Sequence, residues 1–510
     1  MNHLIITPVL VPLLAGILLL LLREQDIAIK RLLSLASLII QLGVAFLIIK
    51  AISTDDILVY ALGNWPAPYG ILLVADRLAA WMLTTTALLS IFAFIYAILG
   101  TDISGRHFHV LFQLQLFGLN GAFLTGDLFN LFVFFEILLL ASYGLLLHGG
   151  GRQRTKAGLH FVVINLAGST LFLFAVGTLY GILGTLNMAD LALKVASVPP
   201  ENMALVSAAG LLLFGVFALK AALLPLYLWL PSAYTHTSAP VAALFAIMTK
   251  VGAYSILRIY TLIYGEQAGP VANLIENWLL PLALATLAIG MLGAVGSRHL
   301  RLQTAYLVIA SVGTLLTAFG LNSQAGIAAG LYYLPHTTFA SAALFLLADA
   351  IANRRGEMAD RLDPGPVIAS PKLFGGLFMI TAMLMVGLPP LSGFLGKFML
   401  LRAAIVHPAL SWVMAVVLIS GLLALIALAR TGSLLFYRAS ITSADGRTPE
   451  TPAPNLNKPC FNELAPIIGL LGLCIMMTIW AEPVLKFANA SALQLLQPYH
   501  YIHAVLGGRI

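Results

Sequence analysis

Phe214-Gly215-Val216-Phe217-Ala218-Leu219-Lys220-Ala221-Ala222-Leu223-Leu224-Pro225 is an apolar run with a lysine at its middle and a proline at its end. The run extends both ways to residues 203–230, enough to cross a hydrocarbon core that takes roughly 20 apolar residues. Lys220 has apolar residues for several turns on one side, so its stem cannot easily carry the charge out to water. Proline inside a helix removes a hydrogen bond and breaks the helix. In a membrane such breaks are tolerated where they line protein or a water-filled cavity. The stretch therefore predicts a membrane helix broken beside a buried charge.

The rest of the chain follows the same pattern. Of its 510 residues 60% are hydrophobic and 9% charged, and its mean hydropathy is +0.97. Soluble globular proteins carry about 25% charged residues, so most of this chain cannot face water and one large helical bundle is expected. The net charge of +7 reads as orientation signals in cytoplasmic loops. No basic stripe with interleaved aromatics is present, so nucleic acid is not an expected partner. Cys460 and Cys474 lack a CxxC pattern and suggest neither a disulfide framework nor a metal site. The first apolar run, Leu4 to Leu22, lacks a basic leader and is followed by Arg23-Glu24-Gln25-Asp26 rather than a small-residue cleavage site. It reads as the first membrane helix.

Counting such runs gives about 14 spans, at residues 3–22, 31–52, 77–99, 106–125, 127–147, 157–184, 203–230, 239–264, 272–295, 300–321, 324–351, 372–406, 410–437 and 464–488. Loops after odd-numbered spans hold most of the basic residues: Arg23, Lys30 and Arg31; Arg106; Arg152, Arg154 and Lys156; Arg298 and Arg301; Arg354, Arg355, Arg361 and Lys372; Arg438, Arg447 and Lys458. Loops after even-numbered spans hold few, chiefly Arg77 and Lys194, beside Asp55, Asp56, Asp76, Asp190, Glu201, Glu266 and Glu276. The positive-inside rule then puts the basic loops in the cytoplasm and both termini outside. Only the loop near Pro231 to Ala239 lacks basic residues. The expected organisation is one polytopic membrane domain over 1–510. It comprises N-terminal helices and an outer cap (1–105), a first repeat (106–264), a second repeat (272–437), a cytoplasmic loop (438–463) and a C-terminal helix with its tail (464–510).

Ionisable residues at mid-membrane depth cost energy and are functional by default. Glu136 stands near the middle of the fifth span, Lys220 in the seventh, Lys250 after Ile247-Met248-Thr249 in the eighth, His336 in the eleventh, and Lys397 after Gly387-Leu388-Pro389-Pro390 in the twelfth. The bland alternative is a charge pair that merely packs two helices together. Desolvation disfavours the charged form of a lysine and a nearby carboxylate restores it, so a row of such groups bridged by water can pass protons. Pro225 and the pair Pro389 and Pro390 each predict a helix break beside one of these lysines. Two such breaks suggest an internal repeat, spans four to eight matching nine to thirteen. Five spans per unit would make the two units inverted. The expected fold is thus an all-α membrane protein of about 14 spans with two inverted five-helix repeats, each with a broken helix.

Several of these stretches are recognisable together. Thr125-Gly126-Asp127-Leu128-Phe129-Asn130-Leu131-Phe132-Val133-Phe134-Phe135-Glu136 resembles the fifth-helix motif of antiporter-like subunits of respiratory complex I and of Mrp-type cation/proton antiporters. Leu219 to Pro231 is similar to their broken seventh helix, and Ala239 to Phe245 with Thr249-Lys250-Val251-Gly252 to their eighth. Gly177-Thr178-Leu179-Tyr180-Gly181 and Gly184-Thr185-Leu186-Asn187-Met188-Ala189-Asp190 resemble the D-type branch of the Mrp antiporters, also called MnhD or PhaD. The resemblance covers nearly the whole chain.

It implies a charge pair of Glu136 and Lys220 that gates proton transfer, a central relay at Lys250 continuing to His336, and exchange at Lys397 with a neighbouring subunit or the exit. Two positions depart from complex I homologues: Ala340 stands where they often have lysine, and Ser311 where they often have histidine. The central wire would then lean on water and on Thr314, Thr337 and Thr338. The resemblance further implies a bacterial inner-membrane location and the partner subunits A, B, C, E, F and G. Protons and Na⁺ or K⁺ would be the transported ions, with no cofactor and no enzyme chemistry of the chain's own. The rivals are a proton-pumping membrane-arm subunit of complex I or of a membrane-bound hydrogenase, which neighbouring genes would distinguish, and an inert scaffold. No acidic cluster that would define a dehydrated Na⁺ site stands out.

Overall fold

The computed structural model describes residues 2–53, 57–365, 368–438 and 459–507. Asp55, Asp56, Arg447, Lys458 and most of the 438–463 loop lie outside the described residues. The described chain is helical apart from one hairpin. α1 (Thr7–Leu21) and α2 (Ile27–Ala51) lead into β1 (Leu58–Ala61) and β2 (Leu72–Ala75), followed by α3 (Arg77–Ala97). Next come α4 (Phe108–Leu124), α5 (Leu128–Leu147), α6 (Arg152–Leu183), the short α7 (Met188–Ala196) and α8 (Pro200–Ala221). After a break follow α9 (Trp229–His236), α10 (Ala239–Phe245), α11 (Met248–Leu262), α12 (Glu276–Gly296), α13 (Leu300–Gly320) and α14 (Gln324–Ala352). The chain ends with α15 (Pro371–Val386), α16 (Ser392–Ala404), α17 (Leu410–Gly432), α18 (Phe461–Ile479), α19 (Ala481–Leu496) and α20 (Pro498–Leu506).

Among the described residues, eleven helical stretches are long and apolar enough to span a membrane, and α1, α4 and α15 are shorter apolar helices. Helices suit this composition because lipid offers no partner for a free backbone group, and a helix satisfies its own. The chain is a predominantly helical membrane protein.

Both expected breaks are present, and the backbone groups they free are taken up locally. α8 stops at Ala222, whose φ of 59° is left-handed, and the Leu223 N–H bonds back to Ala218 O at 2.9 Å. The Leu224 N–H donates to Thr286 Oγ1 on α12 at 2.9 Å, and Trp229 Nε1 donates to Leu219 O at 3.0 Å. α15 stops in the same way at Gly387, φ 81°, with the Leu388 N–H on Met383 O at 3.0 Å. Each terminus is the left-handed helix stop in which a late N–H closes over the last turn, and each lies just ahead of a proline.

Three features add to the span count or divide one of its runs. The polar segment before Asp76 forms the antiparallel β1–β2 hairpin. α7 does not show in hydropathy, since nine residues with Asp190 and Lys194 are too short and too polar to read as a span. The run at 464–488 is divided at Trp480, where α19 starts afresh with Pro483 in its first turn, the place a helix accepts proline.

Charges sort to the two ends of the bundle. At one end Arg31 pairs with Asp102 at 2.6 Å, Arg354 with Glu463 at 2.7 Å, His299 with Asp360 at 3.2 Å, and Arg301 with Asp349. The connection near Pro231 to Ala239, which has no basic residue of its own, borrows two: Arg154 Nε donates to His236 O at 3.0 Å and Arg301 Nη1 to Thr237 O at 3.5 Å. At the other end Asp76 caps α3 by accepting from the Ala79 N–H at 2.9 Å and receives Arg258 of α11.

Candidate functional site

α6 serves both members of the first charged pair. Ser169 donates its hydroxyl to Glu136 Oε1. Four residues earlier on the same face, Asn165 accepts from the Lys220 ammonium at 3.2 Å. The Asn165 amide nitrogen is bound to Phe161 O at 2.8 Å, which turns its oxygen toward the lysine. Lys220 Nζ also lies 6.0 Å from the centre of the Phe135 ring. The charges implied as a pair therefore each hold a neutral partner, and no direct ion pair joins them among the described residues.

Beyond Lys220 lies a cavity of about 20 Å³ bordered by Phe135, Asn165, Trp229, Met248 and Val251, room for one water. Its lining includes Val251, the residue after Lys250. That lysine is 0% exposed, and its Nζ has no hydrogen-bond partner among the described residues. Lys250 stands in the first turn of α11, just past the kink that separates α10. The neighbouring Gly252 explains how α11 comes so close to the α8 break: a Cβ there would stand 2.4 Å from Ala221 N. Gly252→Ala is therefore expected to wedge the two half-helices apart. The expected loss is about 1–3 kcal/mol, the usual range for overpacking, measurable as a lower melting temperature of the purified complex.

His336 lies 1% exposed on α14, sharing a 2.9 Å hydrogen bond between Nδ1 and Ser392 Oγ at the start of α16. Gly393 lets α16 approach the imidazole: a Cβ there would be 2.8 Å from His336 Nε2. Lys397, half-buried on α16, donates to Val386 O at 2.7 Å and Met385 O at 3.4 Å. Its charge thus sits on the last carbonyls of α15, the negative end of that helix. Thr314 and Thr338 donate to Ala310 O and Leu334 O of their own helices.

Lys220, Lys250 and His336 are buried, while Glu136 and Lys397 are half-buried at the two extremes of the series. α5 packs on α6, α6 on α8, α8 on α11, α11 on α13, α13 on α14, and α14 on α16, so the five residues are borne on a connected set of helices. Asn165 and Ser169 were missed in the sequence. Their one signal is an i, i+4 pair of polar side chains on a helix that is otherwise largely apolar there.

An apolar bundle holding isolated amines and an imidazole beside broken helices defines an ion-translocating membrane protein. Residues 125–424 match the family model described as NADH:quinone oxidoreductase/Mrp antiporter, TM. The chain belongs to this family. It is 40% identical to the D component of a probable K(+)/H(+) antiporter of Rhizobium meliloti (strain 1021), over 99% of this chain and 98% of that one. It is 36% identical to the D component of the Na(+)/H(+) antiporter of Alkalihalophilus pseudofirmus, over 99% of this chain and 100% of that one. A chain of the Mrp complex from Dietzia sp. DQ12-45-1b superposes with a TM-score of 0.87 at 30% identity, covering 99% of this chain and 100% of that one.

Proposed function

We propose that this chain is the D-type, proton-translocating component of a multisubunit Na⁺ or K⁺/proton antiporter of the bacterial inner membrane, assembled with subunits A, B, C, E, F and G. The chain works as a transporter component rather than an enzyme. Protons taken up under the membrane potential pass along Glu136, Lys220, Lys250, His336 and Lys397, and their uptake is coupled to export of the cation. The observation that carries this reading is Lys250, wholly buried and unpaired among the described residues, with a water-sized cavity toward Lys220 on one side and His336 on the helix that packs against α10. A packing residue gains nothing from an ammonium left without a partner.

The reading includes fourteen spans, both termini outside, and two inverted repeats over 106–264 and 272–437. The eleven long helical stretches with the three shorter apolar helices support the count. The matching left-handed stops at Ala222 and Gly387 support the repeat. The test is a pH-gradient assay in everted vesicles carrying the whole complex, with Na⁺, K⁺ and Li⁺ compared. Cation-dependent collapse of the gradient that needs all subunits is the expected result. Equal activity from this chain alone, or none from the complex, contradicts it.

A further inference from the structure

Between Lys250 and the basic end of the bundle lies a sequence of groups that the relay does not use. On α14, Ser341, Phe345 and Asp349 follow at four-residue spacing and share one face. Asp349 accepts from Arg301 and, at 2.9 Å, from the Tyr96 hydroxyl. The Phe345 ring lies 6.0 Å from Tyr234, whose ring lies 5.8 Å from Phe245, and the Tyr234 hydroxyl donates to Phe245 O at 2.6 Å. All three rings are 0% exposed.

The helices are antiparallel, so depths can be read from the 1.5 Å rise. Lys250 follows Phe245 by five residues and Ser341 precedes Phe345 by four, which puts both about 6–8 Å deeper than the rings. Asp349 lies about 6 Å on the other side. Polar atoms without a hydrogen-bond partner among the described residues lie on both sides of the rings: Lys250 Nζ, Thr249 Oγ1 and Ser341 Oγ deeper, Thr237 Oγ1, Ser238 Oγ and Arg301 Nε shallower. Buried polar atoms without protein partners take water where there is room for it. The rings separate two such groups.

We infer that the seam between α10 and α14 is a cytoplasmic branch of the proton path that joins the relay at Lys250, beside its continuation to His336 and Lys397, with Asp349 the acceptor of a proton that leaves Lys250 by this branch and the rings of Tyr234, Phe245 and Phe345 the barrier between them. The inference rests on reading Lys250 as a relay. The Lys250 ammonium gives its proton to water held at Ser341 and is left as a neutral amine. When the rings part and admit water, the proton reaches the Asp349 carboxylate, which becomes the acid and then releases it to cytoplasmic water. Closed rings keep the cytoplasm from Lys250 while that group is loaded from the far side.

The competing account is that Asp349 and Arg301 only clasp α13 to α14. Three variants of the whole complex in everted vesicles separate the two. Asp349→Asn/Arg301→Gln removes the pair without leaving a lone charge; antiport is expected to fall about a hundredfold, as for loss of a proton-transfer group. Wild-type antiport from this double variant would show a clasp and overturn the role of Asp349. Asp349→Glu keeps the carboxylate and is expected to retain antiport; complete loss in a normally assembled complex counts against it. Phe345→Ala is expected to collapse an imposed pH gradient without added cation, and proton-tight vesicles from an assembled Phe345→Ala complex would refute the barrier. Lys250→Ala distinguishes the levels. Antiport that survives it removes the relay itself, whereas antiport lost there but normal in the double variant removes only the present inference.

Discussion

Replacing Lys250 by methionine is expected to lower antiport about a hundredfold, in line with removal of a proton-transfer group, while the assembled complex melts no earlier than wild type. The two outcomes have one cause. The Lys250 side chain is 0% exposed and its amine has no hydrogen-bond partner among the described residues. An amine in such a place is an energetic burden whenever it is charged. Methionine fills a similar volume without a polar atom, so the packing of α11 on α8 survives and the desolvation penalty goes. A residue kept for structure behaves oppositely, losing stability and activity together. Gradient collapse in vesicles and thermal unfolding of the purified complex, read on the same preparation, decide between them. Methionine variants that still exchange cations for protons would reduce Lys250 to a bystander.

The features legible in the sequence were those with a local chemical cost. A proline in an apolar span costs its helix a hydrogen bond, and Pro225 and Pro389 follow helix breaks, whereas Pro281 and Pro335 are carried inside α12 and α14. A charge in such a span has to be buried or to escape, and Lys220, Lys250 and His336 are buried. What stayed hidden was mostly pairwise. Asn165 and Ser169 are neutral and carry no cost that marks them, yet they hold Lys220 and Glu136. The resemblance implied a gating charge pair of Glu136 and Lys220, and sequence contains no distance that could have shown α6 holding each of them with its own neutral side chain.

Arg258 was hidden for a different reason. It comes six residues before the end of the eighth apolar run, where a long basic side chain can reach the interface, so it does not stand out beside Lys250. Asp76 reads, by sequence, as an outer-loop charge. The short elements failed on length: α7 and the hairpin strands are each below what hydropathy can resolve, and the division at Trp480 falls in a run whose apolar character continues on both sides. The seam at Asp349 combines both limits, since the carboxylate reads as a helix-end charge and its ring neighbours as ordinary core.

Arg258→Met is expected to cost the fold about 3–5 kcal/mol, the range for breaking one side of a buried ion pair. The guanidinium holds both Asp76 oxygens, at 2.5 and 2.7 Å, with the rings of Tyr254 and Tyr501 at 5.5 and 5.4 Å. Asp76 is 1% exposed and also caps α3, so the pair of Asp76 and Arg258 ties α3, α11 and, through Tyr501, α20 at the end opposite the basic loops. Without Arg258 the Asp76 carboxylate stays buried and uncompensated. A loss of this size is enough to deplete the assembled complex in the membrane. Asp76→Asn/Arg258→Met should recover most of it, because no lone charge remains and asparagine is also a good helix cap. The comparison is read as complex yield and melting temperature. A single variant as stable as wild type would contradict the assignment, and a double variant no better than the single would move the stabilisation from charge compensation to the packing of the arginine between its two tyrosines.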